Sequence, residues 1–142
     1  MSDWNQKIIE EFRANAGKVT GWKTLLLLHT TGAKSGSPHL NPAAYIEDKD
    51  RLVIIASKGG ADTHPDWYYN VVTNPNVTIE VGTEKYDAVA TVEEEPERTR
   101  LYDQMAAQYP GFEEYRQNTA RIIPVITLKR KEIDPEVGSG DR

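Results

Sequence analysis

The chain has 142 residues, a net charge of −5, and no cysteine. That length suits one domain around one core. Disulfides and thiolate chemistry are excluded, no apolar run nears the ~18 residues of a spanning helix, and the acidity argues against nonspecific nucleic-acid binding. The first eleven residues are polar and charged, unlike a signal peptide. A reducing cytoplasm is the expected compartment.

In chain order, residues 3–16 predict a helix, with Ser2 or Asp3 as cap and Ile8, Ile9 and Phe12 at helical spacing. Gly17 and Gly21 close it. Residues 24–30, with Leu25 to Leu28, read as a strand buried on both faces. Residues 40–47 and 51–57 read as two more strands around an Asp48-Lys49-Asp50 turn. Pro65 marks the first turn of a short helix capped by Thr63 or His64. Residues 77–81 and 85–93 alternate as strands around Gly82-Thr83. Pro96 opens another helix, Phe112 and Tyr115 sit on a short helical piece, and residues 124–129 form a last strand. Residues 1–131 are expected to form the domain, and 132–142 a flexible tail. About six antiparallel strands without regular strand–helix alternation predict a mainly β, α+β architecture. A small barrel with peripheral helices fits better than a Rossmann sheet.

Two glycine turns carry chemistry. Thr31-Gly32-Ala33-Lys34-Ser35-Gly36 follows the leucine strand, and Ser57-Lys58-Gly59-Gly60 follows the third strand. Free N–H groups in such turns form concavities for anions, and Lys34 and Lys58 add positive charge. Neither turn is a Walker loop, because no Gly-Lys-Ser/Thr follows. Between Phe12 and Ile46 there is no acidic residue, yet Arg13, Lys18, Lys23 and Lys34 lie there. That stretch can present a local positive field to an anionic ligand, although chance segregation gives the same pattern. The helix at Pro65 adds unpaired N–H groups and the positive end of its dipole.

Tyr109, Phe112 and Tyr115 recur every third residue and share a helical face. They form either a core stripe or a lid over a planar ligand. The polar tips of the two tyrosines favour a partly open site. His29, His39 and His64 lack metal-ligand spacing, so no metal is expected. No serine has a nucleophile-elbow context. Difficult chemistry must therefore belong to a bound cofactor.

The ordered motifs Thr31 to Gly36, Asn41-Pro42, Ala56 to Gly60, Pro65 to Tyr68 and Tyr109-Pro110 resemble the deazaflavin-dependent nitroreductases of actinobacteria. The likeness runs from Phe12-Arg13-Ala14-Asn15 to Ile123-Pro124. It implies a split β-barrel related to FMN-binding barrels, and use of the reduced deazaflavin coenzyme F420. It further implies hydride transfer to a planar acceptor, a menaquinone-like quinone or a nitroaromatic compound.

Residue by residue, the resemblance implies coenzyme contacts from Ala33, Lys34, Ser35 and His39 in the phosphate loop. It implies others from Leu40, Asn41, Pro42, Ala43, Ala44 and Tyr45 on the following strand. Ile55, Ala56, Ser57, Lys58, Gly59 and Gly60 form the second turn's share. Asp66, Trp67, Tyr68, Tyr69 and Asn70 on the helix, and Phe112, complete the set. Ser57, Tyr109 and Tyr115 are expected at the reacting face. Ala33 and His39 stand where the family usually has arginine, Asp66 where many members are apolar, and Phe112 where the nitroreducing pattern has a third tyrosine. Tyr45 is shifted relative to the Asn-Pro pair. These departures bear on nitroimidazole reduction more than on the coenzyme.

Three other readings compete. One keeps the fold and binds FMN; another is a carrier for the coenzyme or a fatty acid without turnover. The third makes residues 4–19 a membrane-surface anchor, weakened by their mixed charge and modest apolar face. A homodimer and peripheral contact with the inner membrane face are further expectations.

Overall fold

The computed structural model describes residues 3–131, so the expected Ser2 cap and the tail at 132–142 lie outside the described residues. Strands β1 (Leu25–Thr31), β2 (Pro38–Ala44), β3 (Ile46–Asp48), β4 (Arg51–Ile55), β5 (Asn76–Val81), β6 (Glu84–Val92) and β7 (Val125–Arg130) form one antiparallel sheet. Its order is β2-β1-β5-β6-β7-β4-β3. β2 and β3 therefore lie at opposite edges, yet only Tyr45 separates them in the chain. Ala44 pairs with Leu25 while Ile46 pairs with Val53. The sheet must curl until its edges nearly meet, which makes it a split barrel.

The single strand expected over 40–47 is thus two. Both halves have strand-forming sequence, and the break at Tyr45 is imposed by closure, not by local propensity. The remaining strand limits shift by one or two residues.

β1 is buried on both faces for a definite reason. Leu26 and Leu28 point into the barrel with Ile54, Ile79, Ile126 and Leu128. Leu25 and Leu27 face outward and are covered by Ile8, Ile9 and Phe12 of α1 (Asp3–Ala14). α2 (Asp66–Thr73) plugs the barrel with Trp67 and Val71. α3 (Glu97–Gln108) covers Val53 and Ile55 through Leu101, Tyr102 and Met105, and α4 (Gly111–Gln117) follows it.

The expected cap of α2 is corrected by the structure. Pro65 is its N-cap, with extended backbone and no side-chain cap bond. Thr63 Oγ1 instead accepts from Lys58 Nζ at 3.1 Å. His64 Nδ1 turns to Arg121, at 2.8 Å.

Gly17 closes α1 as expected, donating its N–H to Phe12 O at 2.8 Å with φ +90°. A Cβ there would stand 2.6 Å from Gly82 Cα. The exit of α1 is thereby seated on the β5–β6 turn. Gly17→Ala is expected to cost about 2–3 kcal/mol, from left-handed backbone strain plus the clash. Urea denaturation reads this, and an unchanged midpoint would contradict it.

Candidate active site

An apolar hollow lies at the seam, where β2, β4, α2 and α4 converge. It encloses about 480 Å³, a size suited to a small organic ligand. Pro42, Ala43 and Ala44 come from β2, Ile55 from β4, and Ser57, Lys58 and Gly59 from the turn that follows. Trp67 comes from α2. Tyr109, Phe112 and Tyr115 come from the α3–α4 corner.

The turn after β4 is built from left-handed residues. Lys58, Gly59 and Gly60 have φ of +49°, +64° and +85°. Lys58 is a side-chain-bearing residue in a region that costs energy, and the arrangement turns successive amides outward. Gly60 N–H is tied to Ser57 O at 3.0 Å. The N–H groups of Lys58 and Gly59 make no hydrogen bond to the described residues. Ser57 is 7% exposed, and its hydroxyl has no partner among them either. A buried, unpaired hydroxyl beside two open amides is a site shaped for a polar ligand edge. Gly60 has no side chain because a Cβ would meet the Tyr115 backbone at 3.1–3.2 Å.

Arg121, which belongs to no motif, holds this turn in place. Its guanidinium donates to Ser57 O and Ala61 O at 2.7 Å, and to Ala56 O at 3.2 Å. Its remaining contact is the 2.8 Å approach to His64 Nδ1.

The rings are held as firmly. Tyr109 and Phe112 lie 6.2 Å apart, and Phe112 and Tyr115 lie 5.2 Å apart, each pair edge to face. The buried Tyr102 hydroxyl donates to Phe112 O at 2.7 Å. Burial pushes Tyr102 up to about 12, so it stays protonated as a donor. The stripe is therefore both things at once: its inner edge packs on α3 and its outer edge walls the cavity.

The Tyr109 hydroxyl is committed. It accepts from Thr24 N–H at 2.6 Å and lies 2.6 Å from Thr24 Oγ1. Thr24 Oγ1 itself donates to Tyr45 O. Tyr109 thus positions the cavity wall and has no proton to spare. Tyr115 has no hydrogen-bonding partner on its hydroxyl among the described residues, and it remains the wall's available donor.

The Gly32–Ser37 loop stands outside the cavity and is joined to it through two elements. Asn70 of α2 accepts from Ala33 N–H at 2.9 Å and donates to Thr30 Oγ1 at 3.0 Å. This buried side chain thus ties the loop to β1 and α2. Gly32 and Gly36 N–H close on Ser37 O and Gly32 O. Lys34 and Ser35 N–H make no hydrogen bond to the described residues, and the Lys34 ammonium is exposed. A Cβ on Gly32 would stand 2.6 Å from Ser35 Oγ and 2.9 Å from His39 Nε2, so those two side chains meet beside the loop. From Pro38 at the loop to Pro42 in the cavity is about 13 Å along β2, at ~3.3 Å per residue.

Other expected contacts lie elsewhere. Leu40 packs under α1, Tyr45 and Ala56 pack with the barrel core, and Asn41 is half-buried on β2. Asp66 is exposed. Tyr68 and Tyr69 sit outside the cavity wall, with His64 4.5 Å from the first and 5.8 Å from the second. The cavity has lining that the sequence reading missed: Gly21, Trp22, Pro65, Pro110 and Gly111. Gly21-Trp22 just before the leucine strand was the available signal, an aromatic in an otherwise polar connection.

The comparisons agree with this geometry. The family model for F420H2-dependent quinone reductase matches residues 4–130. An F420H2-dependent quinone reductase of Mycobacterium tuberculosis is 36% identical over 117 residues, covering 80% of this chain and 78% of its own. The solved F420H2-dependent reductase FDR-A superposes with a TM-score of 0.70 at 35% identity, over 80% of this chain and all of that one. A further structure, solved as a domain-swapped dimer, gives a TM-score of 0.71 at 33% identity, over 89% of this chain and 98% of its own. The fold and cavity define a split-barrel oxidoreductase. The chain belongs to the F420H2-dependent quinone reductase family.

Burial, and then the charge of Arg121, hold His64 below its ordinary value. The folded chain therefore binds that proton less readily than the unfolded chain. The resulting stability is full above about pH 6.5 and is lost as the pH falls below it. Between pH 7 and pH 5 the melting temperature of the wild type is expected to fall further than that of His64→Gln. Equal falls would contradict the pairing.

Proposed function

We propose that this chain reduces a flat quinone with the coenzyme held along β2, its ring in the seam cavity and its phosphate at the Lys34 loop. The observation that carries this reading is the pairing of an apolar cavity, edged by the unpaired Ser57 hydroxyl and two open amides, with a separate anion loop about 13 Å away along β2. That separation suits a ring joined to a phosphate by a polyol chain. Bound reduced F420 would supply a hydride at C5, which with a proton converts a quinone to a hydroquinone.

The protein's share is placement. Lys34 Nζ and the Lys34 and Ser35 amides would bind phosphate, with His39 beside them. Ser57 and the Lys58 and Gly59 amides would hold the polar edge of the ring. Trp67, Ile55 and Pro42 would exclude water around it. Phe112 and Tyr115 would cover the acceptor, and the Tyr115 hydroxyl would hold the proton at the acceptor oxygen. Nitroaromatic compounds have the flat shape the same wall accepts, and are the secondary acceptor class. The domain-swapped neighbour supports association of two copies. Peripheral membrane contact rests only on the lipid solubility of a menaquinone-like acceptor; among the described residues no helix is long and apolar enough to cross a membrane.

Titration of coenzyme fluorescence, with menadione-dependent oxidation of the reduced coenzyme, tests the reading. Micromolar binding with turnover is expected, and Lys34→Ala should bind about tenfold more weakly, about 1.4 kcal/mol. Binding without acceptor-dependent oxidation would favour a carrier. Flavin absorbance in the purified protein would favour FMN. No coenzyme binding would defeat the proposal.

A further inference from the structure

The connection between α1 and β1 contributes a wall that belongs to neither glycine turn. Gly21 and Trp22 line the seam cavity. Trp22 also lines a second, polar groove of about 630 Å³, shared with Glu11, Lys18, Thr20 and Lys23. One indole is therefore the common wall of two hollows of very different character.

Its position is fixed on both sides in sequence. Trp22 N–H donates to Val19 O at 3.1 Å. Lys23 Nζ reaches Gln108 O at 3.4 Å, and Thr24 is pinned to the Tyr109 hydroxyl. The half-buried indole packs against the cluster that α1 makes with Leu25 and Leu27. Gly21, at φ +89° with open space where a Cβ would stand, makes the bend that brings the indole to the cavity. The same Tyr109–Thr24 pin that sets the α4 rings thus also sets Trp22, so their separation is rigid.

We propose that Trp22 is the specificity-determining residue of the acceptor site. Its indole, with the rings of Phe112 and Tyr115, holds a flat acceptor by stacking and edge contacts. It also stands between the cavity and the polar groove and so bounds the room left for an acceptor. Removing it would weaken the grip on a small quinone and open room for a larger one. This rests on the coenzyme-and-acceptor reading of the cavity.

The test uses the full chain carrying Trp22→Ala or Trp22→Phe. Coenzyme affinity is measured by fluorescence. Steady-state rates are measured with menadione and with the three-ring anthraquinone-2-sulfonate. For Trp22→Ala, KM for menadione should rise about tenfold, and the rate ratio of the three-ring to the two-ring acceptor should rise by a similar factor. Coenzyme affinity should stay within about twofold, and Trp22→Phe should recover most of the menadione KM. An unchanged acceptor ratio with normal coenzyme affinity overturns the role of Trp22 alone. Loss of coenzyme binding in both variants overturns it too, since the residue would then serve folding. A wild type that binds no coenzyme overturns the underlying reading, and this one with it.

Discussion

Thr24 is the residue on which the site's geometry depends. Its hydroxyl donates to Tyr45 O, at the point where the two edges of the sheet are joined by a single residue. Its N–H and its hydroxyl also engage the Tyr109 hydroxyl at the α3–α4 corner. Barrel closure, the start of β1 and the aromatic wall thus share one small hydrogen-bonded hub. Such a hub is half-buried, so its bonds are shielded from competing water and its members hold one arrangement. The cavity opens beside it, where the two edges of the sheet come together.

The two glycine turns differ in how they are supported. The Ser57–Gly60 turn is stapled from beneath by Arg121, whose donors are spent on carbonyls. Its own open donors therefore face the cavity unshared. The Gly32–Ser37 loop hangs from Asn70, which spends both polar atoms on Ala33 and Thr30. Ala33 and His39, where the family usually has arginine, leave that loop with Lys34 as its permanent positive charge.

Much of this was legible locally. Four consecutive leucines before a glycine turn announce a strand covered on both faces, and that is how β1 sits, between the barrel and α1. The three-residue spacing of Tyr109, Phe112 and Tyr115 predicts one helical face, but only Phe112 and Tyr115 lie on α4; Tyr109 is the non-helical C-cap of α3 and joins them in the same wall. The break at Tyr45 was not legible, because residues on both sides suit a strand and only closure divides them. Thr63 and His64 are good capping types, yet tertiary partners, Lys58 and Arg121, claimed them. Arg121 and Trp22 lie in segments without periodicity. Only the fold brings one beneath the turn and the other beside the rings. Asn70, expected at the coenzyme, is bonded to Ala33 and Thr30.

The central claim is a two-ended site, with a ring at the seam and a phosphate at the Lys34 loop, bridged by β2. The most direct measurement compares the affinity of the whole coenzyme with that of its deazaflavin ring carrying the ribityl chain but no phosphate. The account predicts that the whole coenzyme binds at least about tenfold tighter, and that raising the salt concentration narrows the gap. Equal affinities at low salt would contradict it.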